Sequence, residues 1–177
     1  MTIEINGQRF KILLKSSEIS KKVSELGKNI TQDYKNKDLV IIGVLKGGLI
    51  FLADLVRDIK IKAEIDFIRV SSYKDSMKPG KIEFVDDIQT LLKNRDVLLV
   101  EDLIDTGATL DFIKNDILSN EPSSFKICAL IKKNKPREVN IDIDYLGFEI
   151  EDDFIVGYGT DFAEEGRNLP NIYVIEH

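Results

Sequence analysis

The chain of 177 residues has one cysteine, one histidine, four prolines and no tryptophan, and each shortage excludes something. A lone Cys128, inside the apolar run FKICALI, cannot close a disulfide within the chain. A disulfide framework is excluded, and a packed thiol in a reducing compartment is expected. The histidine is His177, at the last position, so acid/base work must fall to Asp, Glu, Lys or Tyr. MTIEINGQRF is no charged-then-apolar secretory leader, and a cytoplasmic location is expected. Long hydrophobic runs are also missing. The most apolar stretch, LVIIGVLKGGLIFLADLV, is broken by Lys46, Gly47 and Gly48, whereas a bilayer span needs about 20 apolar residues in succession. Positive charge is not in excess either: the net charge is −6, which disfavours non-specific binding to nucleic acid or to an anionic membrane surface. Any phosphate bound here must be held by local groups.

What is present is enough apolar residue, 43% of the chain, for one domain spanning residues 1–177. Ile19, Val23, Leu26 and Ile30 recur at helical spacing within residues 17–34, with Ser16 or Ser17 as the N-cap. LVIIGVL (39–45) reads as a buried strand, LIFLADLVRDI (49–59) as a helix and IKAEIDFIRV (61–70) as a strand. DVLLVE (96–101), TLDFIKNDIL (109–118) and FKICALIKK (125–133) continue the alternation as strand, helix and strand. The expected fold is α/β: an open, mostly parallel twisted sheet with helices on both faces, its core at about residues 17–140. SSYKDSMKPGKIEF (71–84) is polar and carries Pro-Gly, the composition of a mobile loop or a loosely held hairpin. Short strands within residues 145–177, YLGFEI, FIVGYG and NIYVIE, should join residues 1–14 in a small flap over the sheet.

The segment VLLVEDLIDTGATL (97–110) places Glu101, Asp102 and Asp105 directly after a buried run. In an open parallel sheet, ligands bind beyond the carboxyl ends of the strands. The amides of Thr106, Gly107, Ala108 and Thr109, with two hydroxyls, can surround a phosphate at a helix N-terminus. Three neighbouring carboxylates repel one another unless hydroxyl donors or a cation lie between them, which a sugar diol and Mg²⁺ would supply. A solvated acidic turn with Asp105 or Thr106 capping a helix explains one or two of these residues. LKGG (Leu45, Lys46, Gly47, Gly48) offers bare amides and a cation to a pyrophosphate, although read alone it is a common turn.

VLLVEDLIDTGATL resembles the PRPP-binding motif of type I phosphoribosyltransferases: four apolar residues, two acids, two apolar residues, then D-[ST]-G-x-[ST]. The resemblance runs from about residue 39 to 170 and leans toward the hypoxanthine/guanine phosphoribosyltransferase family. It implies purine salvage, with Mg²⁺-dependent transfer of the 5-phosphoribosyl group from PRPP to N9 of hypoxanthine or guanine, in a homodimer or homotetramer. Thr106 to Thr109 would anchor the 5′-phosphate, Glu101 and Asp102 the ribose hydroxyls and metal waters, and Asp105 would serve as general acid/base at N7. LKGG would be the pyrophosphate loop, with a cis Leu45–Lys46 peptide. Ser72 and Tyr73 would open the catalytic lid. Lys133 would meet the purine 6-oxygen, although on its own it reads as one of a solvent-facing basic run with Lys132, Lys135 and Arg137. Phe154 would stack on the base beside the Ile155 backbone, although an aromatic in a strand is more often core. Asp161 would be the direct metal ligand and Arg167 a pyrophosphate contact. The sequence departs from the family at Gly166, where an aromatic is usual, which bears on the rigidity of the Arg167 loop; Ala108 occupies a variable position. Two rival expectations are an enzyme of the same fold acting on xanthine or another base, and a PRPP-binding regulator without turnover.

Overall fold

Leu39 to Val44 are all buried, which requires cover on both sides of one strand. The computed structural model, which describes residues 2–73, 81–135, 139 and 141–176, shows what supplies it. In chain order the elements are β1 (Thr2–Ile5), β2 (Gln8–Leu14), α1 (Ser16–Asp33), β3 (Leu39–Leu45), α2 (Leu49–Asp58), β4 (Ala63–Tyr73), β5 (Lys81–Asp86), β6 (Asp96–Ile104), α3 (Ala108–Ser119), β7 (Ser124–Lys133), β8 (Tyr145–Ile150), β9 (Ile155–Val156) and β10 (Ile172–Ile175). The main sheet has the order β5-β4-β3-β6-β7-β8. β4, β3, β6, β7 and β8 run parallel, and β5 is antiparallel to β4.

Side chains alternate across a strand, so each continuous apolar run feeds two cores. Leu39, Ile41, Leu98, Val100 and Cys128 pack against Ile19, Val23, Leu26 and Ile30 of α1 and Phe51, Leu52 and Leu55 of α2. Val40, Ile42, Val97, Leu99 and Ile127 pack against Leu110, Ile113 and Ile117 of α3. Helices therefore cover both faces, as the alternation of elements implies. Cys128 is buried and unbridged. Among the described residues, no helix is long and apolar enough to cross a membrane.

Three local expectations need correction. First, α1 is capped at Lys15 rather than at Ser16 or Ser17: the Lys15 amide donates to Glu18 Oε2 at 2.9 Å, and the Ser16 amide to Asn171 Oδ1 at 2.8 Å. A partner distant in sequence sets the entry of the chain. Second, β6 continues past Glu101 to Ile104, because β7 pairs with it as far as Ile104↔Lys132. Third, YLGFEI does not join the flap. It is β8, the parallel edge strand beside β7, held so close that a Cβ on Gly147 would lie 2.4 Å from Leu130 O. The main sheet thus extends beyond residue 140 to Ile150, and the flap is a separate antiparallel sheet of order β1-β2-β10-β9 around Phe10, Val156 and Tyr173. Of the two readings of 71–84, the hairpin holds at the ends of the segment, where Ser71↔Glu83, Ser72↔Ile82 and Tyr73↔Lys81 are paired. Residues 74–80, Arg137 and His177 lie outside the described residues.

α1 and α2 approach each other at Gly27, where a Cβ would lie 2.6 Å from Asp58 Cβ. Gly→Ala inside a helix normally gains about 1 kcal/mol, but overpacking costs about 1–3 kcal/mol. Gly27→Ala is expected to lower the unfolding free energy in urea by about 1 kcal/mol; an increase would show that the helices separate without penalty.

Candidate active site

The end of β6 carries two buried carboxylates. Asp102 is 8% exposed, and Glu101 Oε2 is buried with no hydrogen-bond partner among the described residues. Burial, reinforced by the neighbouring Asp102, holds the Glu101 carboxyl well above the usual range, and burial pushes Asp102 up to about 6. The pair therefore retains a proton where isolated carboxylates have lost theirs. The backbone closes around it: a Cβ on Gly47 would lie 2.3 Å from Asp102 Oδ2, and one on Gly159 would lie 2.1 Å from Gly47 O. Glycine at 47 and 159 lets the β3–α2 turn, the tip of β6 and the flap meet at one carboxylate.

Two cavities open from this point. The first, of about 200 Å³, is lined by Glu101, Asp105, Thr106, Gly107 and Thr109, with Leu103, Ile104 and Leu110 behind them. Gly107 has φ 87°, and α3 begins at the next residue, Ala108. Any other residue at 107 would be strained in this left-handed conformation, and its Cβ would lie 3.0 Å from Val139 O. The Thr106–Thr109 amides thus stand at a helix N-terminus, where an anion is favoured.

The second cavity, of about 330 Å³, gathers residues far apart in the sequence: Asp102, Asp105, Lys133, Phe154, Ile155, Asp161 and Arg167, together with Leu103 and Thr160. Lys133 is not the solvent-facing lysine that its basic neighbours suggest. It is 9% exposed, and its Nζ lies 3.4 Å from Asp152 Oδ1 and 3.9 Å from Asp105 Oδ1. A buried ammonium needs such carboxylates to offset its desolvation. Lys135 pairs with the same two groups, through Asp105 Oδ1 and, at 3.1 Å, Asp152 Oδ1; its bond to Asp105 raises its own pKa. Phe154 is 42% exposed, with its ring at 75° to Phe162 and 5.5 Å away. It leans on the flap core and leaves one side to the cavity.

At the other end, the Leu45–Lys46 peptide is cis. Lys46 Nζ lies 3.0 Å from Glu164 Oε2, and Arg167 Nη2 lies 2.8 Å from Asp161 Oδ1 and 3.4 Å from Glu164 Oε2. Arg167 is further tied down by Nη1 donating to Gly159 O at 2.9 Å and by its own carbonyl accepting the Gly159 amide at 2.9 Å. Gly166 has φ 91°, and a Cβ there would lie 2.4 Å from Val156 Cγ2. Glycine at this departure from the family pattern is a packing requirement of this loop and leaves Arg167 firmly held. Ser72 and Tyr73 are placed by backbone only, in the β4–β5 ladder. Four residues of the site escape the motif reading: Thr160, Asp152, Lys135 and Glu164. Lys135 is visible in the sequence only as one charge in a basic run.

Among the described residues, no three His, Cys, Asp or Glu side chains converge as a preformed metal cage. Mg²⁺ commonly takes one or two carboxylates and completes its shell with water and substrate oxygens. Asp102 and Asp161 on one cavity, and the partnerless Glu101 oxygen beside them, fit that demand.

The fold and this clustering define a class, and the comparisons agree: residues 10–163 match the phosphoribosyl transferase domain, and the chain belongs to that family. Its relatives narrow the resemblance. The chain is 42% identical over 175 residues to the hypoxanthine-guanine phosphoribosyltransferase of Aquifex aeolicus, covering 98% of both. It is 39% identical over 164 residues to the hypoxanthine phosphoribosyltransferase of Escherichia coli K12, covering 91% of this chain and 92% of that one. The crystal structure of a hypoxanthine-guanine phosphoribosyltransferase from Bacillus anthracis, with HEPES in its active site, superposes with a TM-score of 0.87 at 40% identity over 94% of this chain and 97% of that one.

Asp102 carries a pH signature. Its carboxyl rises from 3.8 to about 6 on folding, so the folded state binds the proton more tightly, and stability falls as pH climbs through that interval and stays lowered above it. Removing the charge with Asp102→Asn should raise stability at pH 7.5, without divalent metal, by about 1–3 kcal/mol. The gain should vanish near pH 4. Thermal unfolding at both pH values checks this, and an equal gain at each would refute it.

Proposed function

We propose that this chain is a purine salvage enzyme that transfers the 5-phosphoribosyl group from PRPP to N9 of hypoxanthine and guanine, giving IMP or GMP and pyrophosphate. The observation that carries this reading is the single cavity bringing Asp105, Lys133 and Phe154 together with Asp102, Asp161 and Arg167. A base and a charged leaving group need those two sets of side chains side by side.

On this reading the work divides as follows. The Thr106–Thr109 amides and hydroxyls hold the 5′-phosphate at the start of α3. Glu101 and Asp102 accept the ribose hydroxyls, which relieves the partnerless buried oxygen. The amides of Gly47 and Gly48, with Lys46 and Arg167, receive the pyrophosphate as negative charge develops on it. Mg²⁺, when bound through Asp161 and through waters on Glu101 and Asp102, would supply further neutralisation of the leaving group. Phe154 presents its open side to the purine, and the Ile155 backbone meets the base edge. Lys133 has donors only, so it favours a 6-oxo over a 6-amino group. Asp105, on exchanging Lys135 for the base, takes the N7 proton. Positioning carries much of the rate, because no side chain is needed as a covalent nucleophile. The β4–β5 hairpin, with Ser72 and Tyr73, is the element assigned to exclude water.

A homodimer or homotetramer in the cytoplasm completes the proposal. The exposed Leu49, Ile65 and Phe67 on the α2 side of the sheet edge are the apolar surface that supports self-association.

With Mg²⁺-PRPP, kcat/KM for hypoxanthine and guanine should far exceed that for adenine, with xanthine as the closest competitor. Asp105→Asn should lower kcat about 10²- to 10⁴-fold, and Lys133→Gln should shrink the preference over adenine. Comparable adenine turnover by the wild type would remove the Lys133 role; no pyrophosphate release with any base would remove the enzymatic reading altogether.

A further inference from the structure

Glu164 has no part in the chemistry above, yet its carboxylate occupies the place where that chemistry needs an anion. One oxygen, Oε2, lies 3.0 Å from Lys46 Nζ and 3.4 Å from Arg167 Nη2, so it bridges the β3–α2 turn and the flap loop. An anionic oxygen between an ammonium and a guanidinium is the contact a pyrophosphate oxygen would make there. The loop is built to present it. Ala163 and Glu164 have φ 53° and 68° in succession, a region that side chains bearing a Cβ rarely adopt. The turn is closed by backbone bonds between Phe162 and Glu165, at 2.9 and 3.1 Å. The Glu164 amide donates to Asp161 Oδ2 at 2.8 Å, so the proposed metal ligand itself orients the residue that faces the cations.

We infer that Glu164 is an internal counter-anion for the pyrophosphate subsite: its carboxylate neutralises Lys46 and Arg167 when no pyrophosphate is bound, is displaced as PRPP enters, and returns as pyrophosphate leaves. The inference rests on the pyrophosphate reading of Lys46 and Arg167. The side chains of Lys46 and Glu164 are 50% and 68% exposed, so the bridge is weak and exchanges readily with solvent ions. A fully buried pair would resist displacement. Glu164 is accordingly a competitor and positioning residue: it keeps the two cations together between turnovers and works against product retention.

Isothermal titration of the full chain with Mg²⁺-pyrophosphate tests this in the wild type, E164Q and E164A. Both variants should bind pyrophosphate about two- to fivefold more tightly at low ionic strength, and the gap should narrow toward unity at about 0.5 M salt. The product-inhibition constant for pyrophosphate should fall by the same factor. A merely structural Glu164 would give weaker binding when removed, so unchanged or weaker affinity in both variants overturns the inference. Wild-type enzyme that binds pyrophosphate and turns over, beside variants that show no tightening, removes the Glu164 role alone. Wild-type protein that binds no pyrophosphate and releases none from PRPP removes the underlying reading as well.

Discussion

Two adjacent carboxylates forced out of water at the end of β6 are the constraint around which the rest of the site is arranged. Burial raises both carboxyls, and the neighbouring Asp102 raises Glu101 further, so the two do not readily ionise together there. Backbone hydrogen bonds at Asp102 and Leu103 and the charge of Arg167 offset this only in part. Relief has to come from a ligand carrying hydroxyls or a metal, and the surrounding backbone is cut back to admit one: Gly47 and Gly159 leave just enough room for Asp102 and for each other. The site thus holds a destabilised arrangement in readiness, the usual exchange of stability for function.

A second principle governs the charges facing the cavities. Although the chain carries a net −6, four cations are gathered here and paired internally. Lys133 and Lys135 lie against Asp105 and Asp152 at the base end, and Lys46 and Arg167 lie against Asp161 and Glu164 at the anionic end. Gathering cations locally places positive charge at the site without a global positive field, and their pairing sets what an incoming anion must displace. It also ties the flap to the main sheet, since Glu164 and Arg167 belong to the first and Lys46 to the second.

Several elements could be read directly from residue order. The runs from Leu39 and Val97 are apolar at every position and therefore central. VLLVEDLIDTGATL announces a strand turning into a helix because an apolar run, a glycine and a helix start follow within a few residues. YLGFEI was misplaced because its alternation fits a flap strand and a sheet edge equally well; only the close approach of Gly147 to Leu130 selects the edge. Ser16 lost the cap because Asn171 holds its amide.

Residue order by itself determined the alternation of elements, the acidic tip, the amide-rich turn and the family, all of which rest on periodicity or short spacing within one segment. Tertiary structure alone decided that Lys133 is buried, that Phe154 keeps one side open, that Lys135 bridges two aspartates and that Glu164 meets Lys46 across a separation of 118 residues. The physical reason is range: strand and helix patterns arise from neighbours along the chain, whereas ion pairing and desolvation depend on which segments packing brings within a few ångströms of each other.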